Sequence, residues 1–343
     1  MSVHVIKSLQ EAAQAELDSG MYSRLLQEAA STTDFPAIMA NTLYKVMLKS
    51  YQEYPSTWTQ IVSETSSLKD FKEQTRTRFS ESDNLLEVGE HGEYKDSSLQ
   101  DEKVKYAPKK YGRMFGVSWE ALINDDMAEI KKQPQRFGRS AARTIDYDIW
   151  SFIRSNPTIY DGTNLFTTGH GNASASGSMN SALSEAALAI GFNAMISQTD
   201  LKGYPIRIVP KFLVCSPLQE IKVWKMFNTV NNALPVSGVG TDTMSGQSSM
   251  LFQPTIKNFF QGKLAPIFVP WFDENEWYLV GDPGQYDTLE VGFLNGKKEP
   301  DLFVQDGNLG TAFERDQIRY KVRIVWGKGL LDYRPWYCGY KAT

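Results

Sequence analysis

The sequence predicts an α+β protein of two coupled lobes, on three observations. Its 343 residues exceed the usual size of one compact core. Apolar stripes at helical spacing and strictly alternating strands interleave through its second half, which is the pattern of a mixed lobe. Between Lys69 and Arg113 a different composition intervenes, with 20 charged residues in 45, ten of each sign. A stretch like that cannot bury enough apolar surface to fold alone, so it predicts an excursion that rests on something else.

The overall composition narrows the function classes. Hydrophobic content of 41% and charged content of 22% are ordinary for a folded protein, and 12% aromatic residues supply cores or interfaces. A net charge of -4 argues against a protein whose main work is gripping nucleic-acid phosphates. The first twenty residues hold no apolar run of signal-peptide length and no segment has membrane-span length, so the chain is read as intracellular when made, without a membrane partner. Cys215 and Cys338 lack any metal-ligand or redox spacing and are expected to be buried, reduced thiols.

Taken in order, a weak helical pattern around Leu17, Met21, Leu25 and Leu26, interrupted by Gly20, reads as an arm. Residues 34–54 then form an apolar helical face from Ala40, Leu43, Tyr44, Met47, Leu48 and Tyr51, ended by Pro55. The charged stretch has ordered signs. Lys72, Arg76 and Arg78 lie on one flank and Lys103, Lys105, Lys109, Lys110 and Arg113 on the other, while eight carboxylates between them, Glu90 and Glu93 included, face only Lys95. This predicts a long two-stranded ribbon with basic legs and an acidic tip, marginal alone and stabilised by a neighbouring subunit.

SWEALINDD opens a helical region that runs to Arg154, with Pro134 as a kink or restart and a stripe of Phe137, Ala141, Ile145, Ile149 and Phe152. Asn156-Pro157 stops it. A second helix is expected near Leu183 to Ser197, with Leu183, Ala187, Ile190 and Ala194 on one face. A strand ending at Cys215 leads to a capping box of Ser216 and Gln219 with Pro217 in the first turn. After a polar, glycine-rich loop, PIFVPWF and WYLVG read as a hairpin around Asp273 to Glu276. In QIRYKVRIVW, Ile318, Tyr320, Val322, Ile324 and Trp326 alternate with charged or polar neighbours, giving one buried face and one wet face.

Catalysis needs converging groups, and few are offered. His4, His91 and His170 have no zinc spacing, no phosphate-loop or nucleophile-elbow motif is present, and Gly238 and Gly240 are too little for a nucleotide loop. Asp125-Asp126 is most simply a helix start. The stretch SNPTIYDGTNLFTTGHGN is the best catalytic candidate, through Asp161 and His170. Its Asp-Gly and His-Gly-Asn clusters are ordinary turn formers, so it is read as a loop that positions two lobes. No catalytic, cofactor-binding or metal-ligating residue is expected, and no cofactor.

The order of parts, an arm, a long charged hairpin, a long helix, a mixed lobe and a late strand, resembles the major capsid protein of tailed bacteriophages, in the Hong Kong ninety-seven capsid fold. RFSESDNLLEVGEHGEY, KYGRMFGVSWEALINDD, FGRSAARTIDYDIWSFIRSNP, DGTNLFTTGHGN and RYKVRIVWGKGLLDYRPWY look like the Mu-type and protease-fused subfamily, over about residues 30 to 340. The resemblance implies residues 1–60 as an N-terminal arm, 68–117 as the extended loop, 118–155 as the spine helix of a peripheral domain, 156–300 as mainly an axial domain, and 301–343 as a return to the peripheral domain. It implies a structural protein, not an enzyme, that self-assembles into hexamers and pentamers of an icosahedral shell around double-stranded DNA. It further implies portal, scaffolding and decoration proteins as partners, with the scaffold either separate or fused upstream. The virion would be the protein's location, after assembly in the bacterial cytoplasm.

Within that frame Arg76, Arg78, Lys103 and Lys105, with Glu90 and Glu93 at the tip, are the expected intersubunit contacts of the extended loop. Leu43, Met47 and Tyr51 are those of the arm. Some relatives join subunits covalently through lysine and asparagine; Lys103 or Lys105 would serve, but no acid that promotes the bond is evident and no crosslink is expected. The competing readings are an encapsulin-like compartment and a hydrolase using Asp161 and His170.

Overall fold

The computed structural model describes residues 35–79, 85, 87–88, 93–94, 96, 101–118, 127–174, 179–228, 259–305 and 317–341, with only the backbone for residues at some element ends. The early arm residues, Asp125-Asp126, the Gly238/Gly240 loop, His4, His91 and Glu90 lie outside them, as do the side chains of Ala40 and Ile318. The chain divides into two compact units. One takes in 1–56, 109–145 and 293–326, and the other 57–108, 146–292 and 327–343. The expected boundaries cut differently: the 118–155 segment is split after Ile145, and 301–343 is split after Trp326.

In the first unit, helix α1 (Phe35–Gln52) and the N-terminal part of helix α2 (Met127–Arg154) accompany strands β4 (Lys109–Ser118), β9 (Asp301–Val304) and β10 (Gln317–Leu330). β10 pairs antiparallel with β4, from Gln317 opposite Ser118 to Trp326 opposite Lys109, and antiparallel with β9 from Tyr320 opposite Val304. Lys109, Lys110 and Arg113, read from sequence as a leg of the ribbon, therefore belong to this sheet. The alternation of β10 does what it predicts: Tyr320, Val322, Ile324 and Trp326 are buried while Lys321 is exposed. Tyr111 stacks on Trp326 at 3.8 Å, and Phe115 on both Tyr320 and Phe137 at 4.9 Å, which seats α2 on the buried sheet face.

α2 runs unbroken through Pro134, so the expected kink or restart is corrected. At 28 residues it is about 42 Å long. Leu43 and Met47 of α1 are buried, and a Cβ built at Gly138 of α2 would overlap the Met47 carbonyl oxygen. The two helices approach at backbone distance there because position 138 has no side chain.

The second unit centres on a four-stranded sheet of order β11-β7-β5-β6, from β5 (Pro210–Cys215), β6 (Ala265–Phe268), β7 (Trp277–Gly281) and β11 (Trp336–Tyr340). β6 pairs parallel with β5, and β7 pairs antiparallel with β5 on its other side. The expected PIFVPWF/WYLVG hairpin is thus overturned: β5 lies between its two strands. The expected capping box is not formed either. Pro217–Gln219 is a single 3-10 turn with no side-chain cap; the Ser216 hydroxyl donates to the Phe272 carbonyl and the Gln219 amide to that of Glu274.

Helices α3 (Glu185–Ile196) and α4 (Glu220–Asn228) contribute Leu188, Met195 and Val223 to a core with Leu213, Trp277, Leu279 and Tyr337. The Ser184 hydroxyl caps α3 by accepting from Ala187 N–H at 3.1 Å. Ile190, placed from spacing on the same face as Leu183 and Ala187, is 62% exposed while those two are buried, and Leu188, Phe192 and Met195 fill the core. Both cysteines are buried free thiols, as expected, and burial pushes Cys215 up to about 12. The C-terminal end of α2 is anchored in this unit by Asp146, which accepts from Thr57 N–H (2.9 Å), Trp58 N–H (3.2 Å) and Trp271 Nε1 (2.9 Å). Strands β1 (Glu64–Leu68) and β8 (Leu289–Leu294) lie side by side, and a separate ribbon joins β2 (Gln74–Phe79) to β3 (Asp101–Tyr106).

Candidate assembly surface at the root of the charged ribbon

β2 and β3 pair antiparallel with Gln74 opposite Tyr106, Arg76 opposite Val104 and Arg78 opposite Glu102. Because side chains alternate along a strand, those six residues share one face, and Thr75, Thr77, Lys103, Lys105 and Asp101 share the other. The first face is bound into the second unit. Val104 and Tyr106 are each 7% exposed, and Arg76 Nε donates to both oxygens of Glu290 (2.9 and 2.8 Å) while its Nη2 donates at 2.6 Å.

Glu290 is fully buried in β8 and also accepts from the Tyr106 hydroxyl at 2.6 Å. Burial alone would raise its pKa, but the hydrogen bonds from Arg76, Ser66 and Tyr106, with the Arg76 charge, outweigh that and hold the carboxyl below the usual range. Tyr106 is pushed up to about 12, first by burial and then by its bond to Glu290. Its ring lies where Gly327 and Gly329 leave room: a Cβ at Gly329 would come within 2.6 Å of it.

A second cluster holds the next pair along the ribbon. Arg78 forms an ion pair with Asp332, which also accepts from Arg334 Nη1 at 3.0 Å and from the Arg334 backbone N–H at 3.2 Å. Arg334, 1% exposed, donates through Nε to the Thr199 carbonyl at 2.8 Å. Glu102 sits 4.0 Å from it, its pKa raised by burial against the pull of Arg334 and Arg78. Two guanidinium–carboxylate clusters therefore clamp one face of the ribbon root.

The residues expected as intersubunit contacts are thus sorted by this geometry. Arg76 and Arg78 commit their guanidiniums inside the chain. Lys103 and Lys105 stand on the open face, 57% and 54% exposed, in surface pairs with Asp101 (2.9 Å) and Glu73 (3.3 Å). Such exposed pairs are weak and exchange readily for another partner. Glu93 is exposed. Leu43 and Met47 are buried inside the first unit, and the Tyr51 hydroxyl donates to the Lys298 carbonyl at 2.8 Å. Sequence reasoning missed Glu290, Asp332 and Arg334. The available signal was a charged residue inside an apolar run, LEVGFL for the first and LDYRPWY for the others.

The rival catalytic stretch does bring its two residues together. Asp161 Oδ2 lies 2.6 Å from His170 Nε2, and His170 Nδ1 lies 3.0 Å from the Leu165 carbonyl oxygen. Each ring nitrogen thus faces an acceptor of the chain itself. The ring is stacked on Tyr333 at 3.8 Å; the Thr163 hydroxyl donates to Asp161 at 2.8 Å and lies 3.0 Å from His170 Nε2, and the Thr167 hydroxyl accepts from the His170 backbone N–H at 3.3 Å. Asp161, Thr163 and His170 thus bond among themselves, and with the Leu165 carbonyl they staple the turn. Burial opposes ionisation of Asp161, but hydrogen bonds from the Thr163 backbone and from His170 outweigh it and lower its pKa. Among the described residues no group of His, Cys, Asp and Glu could hold a metal ion, and no helix is long and apolar enough to cross a membrane.

Comparison with known proteins places the chain. The family model for phage capsid protein matches residues 101–339, well over half of its length. No curated protein matches. Among solved structures, a chain from Microbacterium phage Oxtober96 aligns at 9% identity and TM-score 0.50, covering 84% of this chain and 91% of that one. One from Mycobacterium phage Adephagia aligns at 13% identity and TM-score 0.49, covering 85% and 91%. The procapsid of bacteriophage JBD30 aligns at 17% identity and TM-score 0.45, covering 90% and 76%. The chain belongs to the phage capsid protein family.

Proposed function

We propose that this protein forms the hexamers and pentamers of an icosahedral head that encloses double-stranded DNA, without catalysing a reaction. The observation that carries the reading is the family match, which begins at the first residue of β3 and so takes in the second leg of the ribbon. The ribbon's two faces support it. One is clamped by Arg76 and Arg78, and the other offers Thr75, Thr77, Lys103 and Lys105 with only weak partners. A two-stranded ribbon is marginal alone, and an open lysine face with an acidic continuation suits repeated, salt-sensitive contacts between copies.

The head is assembled in the bacterial cytoplasm on a scaffold, with a portal at one vertex and decoration proteins outside. The peripheral domain corresponds to the first unit and the axial domain to the body of the second. Particles purified from infected cells and treated with nuclease test this. Protected duplex DNA inside particles built of this chain is the expected result, and particles holding only protein cargo would favour the compartment reading.

A further inference from the structure

Between Lys131 and Ile145, α2 carries five cations, Lys131, Lys132, Arg136, Arg139 and Arg143, and no carboxylate, in a chain whose net charge is -4. Lys132, Arg136, Arg139 and Arg143 are exposed. At 3.6 residues per turn these four fall within about 60° of one another around the helix, in a line about 16 Å long. Phe137, Ala141 and Ile145 fall on the opposite side, where Phe137 stacks on Phe115 of the sheet. The cations therefore point away from the packed face of their own unit. No ion pair to Arg139 or Arg143 is present among the described residues.

We infer that this stripe is a contact surface for the backbone of duplex DNA. The inference rests on the capsid reading and names the part of the subunit that meets the packaged molecule. A duplex carries one phosphate per about 3.4 Å along each strand, so a cationic line about 16 Å long spans several of them. Arginine suits that partner, because its planar guanidinium pairs with phosphate oxygens two at a time. The rival occupant is the acidic tip of the ribbon from a second copy. That tip carries Leu85 fully exposed and Tyr94 85% exposed, and it needs an apolar receiver. The exposed positions along the stripe are Lys132, Gln135, Arg136, Arg139 and Arg143, with no apolar residue among them. A wholly polar, cationic face fits a phosphate backbone better than an interface with an apolar centre.

The test compares the full-length protein with R139Q/R143Q and with the charge-preserving R139K/R143K. Binding of a short mixed-sequence duplex is followed by fluorescence anisotropy across a salt series, and shells are examined by electron microscopy for all three. The expected result is that the slope of log affinity against log salt falls by about 1.8 in the glutamine variant, two contacts at about 0.9 each. The lysine variant keeps the slope, and all three form shells. Equal slopes for the unaltered protein and the glutamine variant, or no duplex binding by the unaltered protein, would overturn the inference while intact shells leave the capsid reading standing. Shell loss confined to the glutamine variant with an unchanged slope would assign the stripe to a second copy and also overturn it. Absence of shells from the unaltered protein, with its native scaffold or lysate present, would overturn both.

Discussion

Arg76→Ala is the most informative single change, because it removes three hydrogen bonds from a carboxylate that is fully buried. Glu290 would keep only the Tyr106 hydroxyl and the nearby Ser66 hydroxyl against the cost of an unneutralised charge in β8. Removing one partner of a buried pair costs about 3–5 kcal/mol. The Arg76 side chain is 38% exposed, so solvent screens part of that, and about 2–3 kcal/mol is expected here. Equilibrium urea unfolding of the unassembled protein, followed by tryptophan fluorescence, measures it.

The pH dependence gives a second handle on the same pair. Glu290 titrates below its ordinary value in the fold, so its contribution is present above the unfolded pKa and is lost as pH falls through the folded one. The gap between the parent and Arg76→Ala should therefore be full at neutral pH and narrow in acid. A loss below about 0.5 kcal/mol at neutral pH would refute the clamp, being the scale of an ordinary surface substitution. So would a gap that does not change with pH. The clamp also decides what a double reversal of Arg76 and Arg78 to Glu should do. Each new carboxylate would face Glu290 or Asp332, so the subunit itself should be destabilised before assembly is reached.

Three further outcomes follow from the geometry. Lys103→Glu with Lys105→Glu should lower particle yield while leaving the unfolding midpoint of the unassembled protein unchanged; normal yield by sedimentation would remove these residues from the assembly surface. Gly138→Ala should cost about 1–3 kcal/mol in thermal or urea unfolding, because the new methyl meets a backbone carbonyl of α1 that must move. His170→Ala should cost about 1–2 kcal/mol through loss of the Tyr333 stack and the Asp161 bond, and particles should still form. A hydrolytic activity that disappears in that variant would instead restore the catalytic reading of the turn.

What the sequence made legible was local periodicity. β10 was readable because alternation over a half-buried strand is decided residue by residue, and α2 and α3 because their apolar positions recur at helical spacing. What it hid was pairing at long range. Nothing in PIFVPWF or WYLVG says that β5 will insert between them, since β5 lies some fifty residues earlier and the choice is made by the assembled sheet.

The assembly surface was half legible for the same reason. The charge census set the ribbon apart by composition, and its root does rest on the second unit. It treated arginines and lysines as one basic set, however, although strand alternation puts them on opposite faces. Arg76 and Arg78 turn inward because buried carboxylates wait for them in β8 and just before β11, inside apolar runs whose local pattern gives no sign of the distant partner.

The central claim is that this chain builds a closed shell, and negative-stain electron microscopy of the purified protein, with and without its native scaffold or lysate, tests it most directly. The account predicts closed particles with five- and six-fold units in the presence of scaffold or lysate, if not from the protein alone. A small oligomer that persists in both samples would contradict it.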